Sequence, residues 1–138
     1  MNYHGTARTN YVSIIDIDGL RAAIGPFNID VCEHPEFAGK YAFFVSNGQG
    51  WPDHSVDDDG KDIGLNVCKV IMPFVYDGEV LVLMDSGNQG HRYVCGRAEA
   101  WRRHANETES VAICLHSIYA IAADRFAVPV GHISDALH

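Results

Sequence analysis

Five short runs rich in β-branched and aromatic residues recur along this chain: Asn10–Ile15, Phe27–Cys32, Lys40–Val45, Val80–Met84 and Val111–Leu115. Runs this short, bounded by Gly, Pro, Asn or Asp, suit strands better than packed helices. A sixth strand is expected from about Arg92 to Trp101. Phe27, Ile29 and Val31 alternate with polar or small residues, the period-two pattern of a half-buried strand. Val80-Leu81-Val82-Leu83-Met84 has no polar member and reads as a central strand buried on both faces. Gly39 separates the second and third runs, which suits a hairpin.

Helical spacing appears three times. Asp16 or Asp18 is placed to cap a short helix carrying Leu20, Ala23 and Ile24, stopped by Gly25-Pro26. Asp62 is placed to cap a second, with Ile63, Val67, Val70, Ile71 and Phe74 on one face and Pro73 ending it. Ser117 is placed to cap a third through Ile118, Ile121, Ala122 and Phe126. Residues 46–61 read as a long polar loop, 86–90 as a turn and 127–138 as a loosely held tail. The fold class expected is α+β: one domain over residues 1–138, a mostly antiparallel sheet of five to six strands packed with two to three helices.

The 138 residues are 47% apolar and 20% charged, enough to build a core without staples. No apolar run approaches the roughly 18 residues that span a bilayer. The first residues lack the basic-then-apolar pattern of a secretion signal, so a cytoplasmic protein is expected. Cys32, Cys68, Cys95 and Cys114 lie in apolar segments and read as reduced, buried thiols.

The net charge of −8 is unevenly placed. Residues 1–90 hold five basic and thirteen acidic side chains (5 − 13 = −8), whereas residues 91–138 hold five of each. Asp53, Asp57, Asp58, Asp59 and Asp62 are its densest part, with Trp51 beside them. Such a surface disfavours nucleic acid, anionic membranes and phosphate-rich substrates, and favours basic partners. Trp51 suits either a lid on the core or an anchor at an interface.

Four candidate chemistries compete with blander roles for these residues. Aligned on Gly60, a calcium loop places its first ligand at Ser55 and its last at Asn66, so both strongest ligands are missing and a solvated acidic loop is the better reading. Cys32-Glu33-His34 and Cys114-Leu115-His116 are two Cys-x-His pairs; each can offer sulfur and nitrogen to one zinc if the pairs meet, but buried Cys beside surface His is commoner. Arg102-Arg103-His104 is too small a basic cluster to hold nucleic acid and reads as a solvated turn. No Gly-x-Ser-x-Gly elbow is present.

His4-Gly5-Thr6 resembles the first-strand His-Gly-Ser/Thr motif of ADP-ribosyltransferases, in which the His holds the ribose of NAD. Glu107-Thr108-Glu109 resembles the Glu-x-Glu pair of a subset of them. The implied enzyme would use His4, Glu107 and Glu109.

A broader resemblance covers most of the chain. The string Gly5-Thr6-Ala7-Arg8-Thr9-Asn10-Tyr11, then Gly50-Trp51-Pro52, Asp77-Gly78-Glu79-Val80 leading into Leu83-Met84, Arg92-Tyr93 with Gly96, and Ser117-Ile118-Tyr119 resemble a group of small acidic proteins of bacterial plasmids and phages. Some of these are labelled antirestriction proteins. The chain departs from the group at His4, where an aromatic residue is common. The resemblance implies a role in a mobile element's conflict with its host.

The leading expectation is therefore a non-enzymatic inhibitor of a bacterial defence system, anti-CRISPR or antirestriction, with no cofactor. Trp51, Asp53, Asp57, Asp58, Asp59 and Asp62 would occupy a basic, nucleic-acid-binding surface of a protein partner. The alternative is the ADP-ribosyltransferase using NAD. A third class is a regulatory or scaffolding protein that forms homodimers through an exposed sheet edge.

Overall fold

The computed structural model describes residues 3–45, 50–51, 54–56, 62–64, 66–89 and 93–134. It is an α+β domain in which a seven-stranded sheet carries three helices. The strands are β1 (Tyr3–Thr9), β2 (Val12–Ser13), β3 (Asp30–Glu33), β4 (Lys40–Val45), β7 (Val80–Gln89), β8 (Tyr93–His104) and β9 (Glu107–Cys114), with a separate pair β5 (His54–Val56) and β6 (Asp62–Gly64). The main path is β2-β4-β1-β7-β8-β9, with β3 on the far side of β4; its described pairings are antiparallel.

Strands β1 and β2 run along the same side of β4, and two side chains stitch the break between them. Thr9 is buried; its hydroxyl donates to the Asn10 carbonyl (2.8 Å) and accepts from Phe43 N–H (2.9 Å). Asn10 extends the ladder with its amide: Nδ2 donates to the Val80 carbonyl (3.0 Å) and Oδ1 accepts from Val82 N–H (2.8 Å). Glu79 accepts from Ser13 N–H at 3.2 and 3.3 Å, tying β2 to the turn before β7. Gly78 in that turn has φ +86°, a region where a side chain is strained.

Helix α1 (Ile17–Ile24) begins at Asp16, whose carboxylate accepts from Gly19 N–H (3.1 Å). It runs into a 3-10 turn, Gly25–Phe27, where a strand start was expected; β3 begins only at Asp30. Helix α2 (Val67–Ile71) is shorter than expected, and Asp62 does not cap it. Asp62 lies on β6, while Asn66 caps α2 by accepting from Lys69 N–H (3.2 Å). Pro73 ends α2 as expected, inside the 3-10 turn Met72–Phe74. The expected loop over residues 46–61 contains β5, paired with β6 through Val56 and Asp62. The expected turn over residues 86–90 is strand as far as Gln89.

The core lies between one face of the sheet and helices α1 and α2. Leu20 and Ile24 of α1, Val67, Cys68 and Ile71 of α2, and Val12, Phe43, Leu81 and Leu83 of the sheet are buried together. Trp51 and Trp101 pack against this cluster.

Helix α3 (Ser117–Phe126) contributes nothing to the core: no residue of it is buried. Ser117 is its first residue and makes no cap; its hydroxyl accepts from Cys114 N–H instead (3.2 Å). The expected tail is structured in part, with a 3-10 turn at Val130–His132 lying against α3.

Candidate functional site

Strand β7 is buried on one face only. Leu81 and Leu83 are buried, but Met84 is 58% and Val80 43% exposed. Helices α1 and α2 cover only the face that carries Leu81 and Leu83, so the expectation of a doubly buried strand is corrected. Strand β9 is exposed along its whole length.

The uncovered face has a definite relief. Register places Met84 opposite Ala98 and Ile113, and Val82 opposite Ala100 and Val111. Small residues Gly96, Ala98 and Ala100 of β8 therefore form a floor, with the larger side chains of β7 and β9 as walls. Two adjoining hollows follow this floor. The larger, ≈ 330 Å³, is lined by Met84, Gly96, Ala98, Ile113 and Leu115 among others. The second, ≈ 250 Å³, includes Val80, Ala100 and Val111. Gly96 matters here because a Cβ on it would meet the Leu115 side chain at 3.1–3.2 Å. At one end of the groove Arg102 Nε donates to Glu109 Oε1 (2.8 Å), and the exposed Arg8 stands beside Met84 midway along it. Asp85 and Arg97 also border the larger hollow, whereas the floor and wall positions Val82, Met84, Ala98, Ala100, Val111 and Ile113 are uncharged.

Three thiols differ in surroundings. Cys68 is buried, and desolvation pushes its thiol up to about 12. Cys32 is half-buried, with Sγ 3.9 Å from the Tyr11 hydroxyl. Cys114 is exposed, against expectation, because no helix covers β9. Its Sγ lies 3.5 Å from Ser117 Oγ, and that hydrogen bond lowers the thiol from its ordinary value. Asp85, partly buried beside Arg97 and Glu99, is raised chiefly by desolvation.

The expected catalytic residues do not converge. His4 pairs with Asn88 at one end of β7, whereas Glu109 pairs with Arg102, opposite Val80 at the other. Eight residues of strand separate those levels, roughly 27 Å. Glu109 is engaged by Arg102, and Glu107 pairs with His104 still further along β8. The Cys-x-His pairs do not meet either. Cys32 lies on β3 and Cys114 on β9, at opposite edges and five strand spacings apart, roughly 24 Å along the sheet. His34 Nδ1 accepts from the N–H groups of Glu36 and Phe37 (3.0 and 3.2 Å), holding a turn. Among the described residues no three His, Cys, Asp or Glu side chains gather as a metal site.

The acidic segment is placed in part. Asp53, Asp57, Asp58 and Asp59 lie outside the described residues; Asp62 is on β6. Trp51 is half-buried and packs on the core with its indole N–H buried, the lid of the two roles its sequence setting offers. Arg102-Arg103-His104 is strand, not a turn, and Arg103 donates to the Val75 carbonyl (2.8 Å). The groove escaped sequence reasoning, although the small-residue alternation Gly96, Ala98, Ala100 was a signal for it.

Fold and surface together define an α+β protein whose main sheet has one face packed and, among the described residues, one open. No family model matches the chain, and neither the curated proteins nor the solved structures hold a significant match to it. No helix among the described residues is long and apolar enough to cross a membrane.

Proposed function

We propose that this chain is a non-enzymatic, mobile-element-encoded inhibitor of a bacterial defence system, anti-CRISPR or antirestriction, acting in the host cytoplasm. It binds a basic, nucleic-acid-binding surface of a protein partner through its acidic segment. The observation that carries this reading is the concentration of Asp53, Asp57, Asp58, Asp59 and Asp62 within ten residues of sequence, the last of them on β6, outside the main sheet. Trp51 and Val67, on either side of the segment, pack into the core, so both ends are anchored. Carboxylates spaced closely along a chain can stand in for a row of phosphates, and opposite charge accelerates encounter. The separation of His4 from Glu107 and Glu109 speaks against the ADP-ribosyltransferase.

The test replaces Asp53, Asp57, Asp58 and Asp59 by Asn and measures plaque formation or plasmid establishment in strains carrying one defined defence system each. Wild type should relieve restriction or interference in at least one strain, with a purified-complex affinity that falls as salt rises. The quadruple variant should lose both while keeping its far-UV circular dichroism. A folded variant that still inhibits defeats the reading. His4→Ala should inhibit like wild type.

A further inference from the structure

Among the described residues nothing covers the apolar side of helix α3, and nothing fills the apolar floor of the β7-β8-β9 groove. Ile118 and Ile121 are 58% and 57% exposed, and Phe126 71%. These three share one side of the helix at i, i+3 and i+8 spacing. The groove runs from Gly96 to Arg102, six strand steps or roughly 20 Å, and the ten residues of α3 extend roughly 15 Å. The helix therefore fits inside the channel's length.

We infer that the chain is a homodimer in which α3 of each copy lies in the β7-β8-β9 groove of the other. Three features select a second copy over another occupant. The first is mutual fit: one chain holds both an unfilled groove and an unpacked ridge, and a two-fold axis satisfies both at once. The second is charge: the groove's floor and walls are uncharged, Arg97 and Arg102 at its borders are matched by Asp85 and Glu109, Arg8 stands beside Met84, and α3 is neutral from Ser117 to Ala123, so neither half suits a strongly charged partner. The third is area. Met84, Val111, Ile113 and Leu115 in the groove, with Ile118, Ile121 and Phe126 on the helix, are each 51–71% exposed. At about 150–200 Å² per fully exposed side chain of this size they present roughly 630–840 Å² per chain over groove and helix together. That matches the roughly 800 Å² that each partner contributes to a stable interface. The contact uses the sheet's face, with β9 contributing a wall rather than pairing edge to edge. It does not depend on the proposed function, because the acidic segment takes no part in it.

The test is sedimentation equilibrium of the full chain over a dilution series. Wild type should show twice the 15.2 kDa chain mass. Ile121→Asp on the helix and Ala98→Arg on the groove floor should each weaken dimerisation by ~30-fold or more, as losses at interface centres do. Ile121 is exposed and Ala98 is half-buried on the face away from the core, so circular dichroism and thermal melting should show both variants folded. Mixing them should restore a dimer, since one contact is then wild type and the other pairs Asp with Arg. A wild-type chain that stays at 15.2 kDa overturns the inference. So does a dimer that survives both substitutions, which would point to edge-to-edge pairing of β9. Folded variants that fail to re-form a dimer on mixing overturn it as well.

Discussion

Replacing Thr9 by Val should destabilise the protein by about 2 kcal/mol without touching its binding surfaces. Thr9 and Phe43 are 4% and 0% exposed, and the Thr9 hydroxyl is the acceptor for the Phe43 N–H at 2.9 Å. Val has nearly the same shape but no acceptor, so that N–H is left without its partner in the core. Losing such a partner costs about 1–3 kcal/mol. The same hydroxyl also donates to the Asn10 carbonyl, which places the estimate near the middle of that range. For 138 residues the unfolding entropy is about 0.29 kcal/mol/K, so 2 kcal/mol lowers Tm by about 7 °C. In urea the midpoint should fall by about 1 M. Thr9→Ser keeps the hydroxyl and should lose about 1 kcal/mol, the value of one buried methyl. Calorimetry and urea titration, at one protein concentration for all three proteins, check this. If Thr9→Val melts within 1–2 °C of wild type, or Thr9→Ser is as damaged as Thr9→Val, the hydroxyl is not the stitch described here. Inhibition per folded molecule should be unchanged by either substitution.

Thiol labelling should separate the cysteines. Cys114 should react fast, and Ser117→Ala should slow it at mildly alkaline pH, because removing the hydroxyl's hydrogen bond raises the thiol and lowers its thiolate fraction. Cys68, buried and pushed up to about 12, should react only as the protein unfolds; labelling of native Cys68 at the rate of Cys114 contradicts its place on the core side of α2. Asp85 has a raised carboxyl in the folded state, so its ionisation opposes folding. Its contribution is fully present below the ordinary carboxylate value of 3.8 and is lost as pH rises through the raised one. Asp85→Asn should therefore gain stability relative to wild type on going from acid to neutral pH, measured by urea midpoints. An unchanged difference across that window refutes the assignment.

Helix α1 and strand β4 were legible because local chemistry decides them. Asp16 supplies a cap, Gly25-Pro26 a stop, and Lys40–Val45 a run of strand formers behind Gly39. Helix α2 was misread because the apolar spacing from Ile63 to Phe74 fits a helix longer than the one that forms. Asn66 competes as the cap, and the residues before it gain more by pairing β6 with β5. The end of β7 was misread because Ser86-Gly87-Asn88 has turn composition. Its pairing with β1 and β8 on both sides overrides that preference.

Some properties needed no tertiary structure. The number and character of the apolar runs specified an antiparallel α+β domain, since short strands joined by tight turns can pair only with neighbours running the opposite way. Counting charges located the acidity in the first two-thirds of the chain. Which residues meet was decided only by strand order. That order sent His4 and Glu109 to opposite ends of the sheet and Cys32 and Cys114 to opposite edges. It also put α1 and α2 on the same face, leaving Met84, Ile113 and the apolar side of α3 uncovered. An apolar residue reads the same in sequence whether its neighbour in space is the core or another chain. The groove could therefore emerge only once the partners of each strand were known.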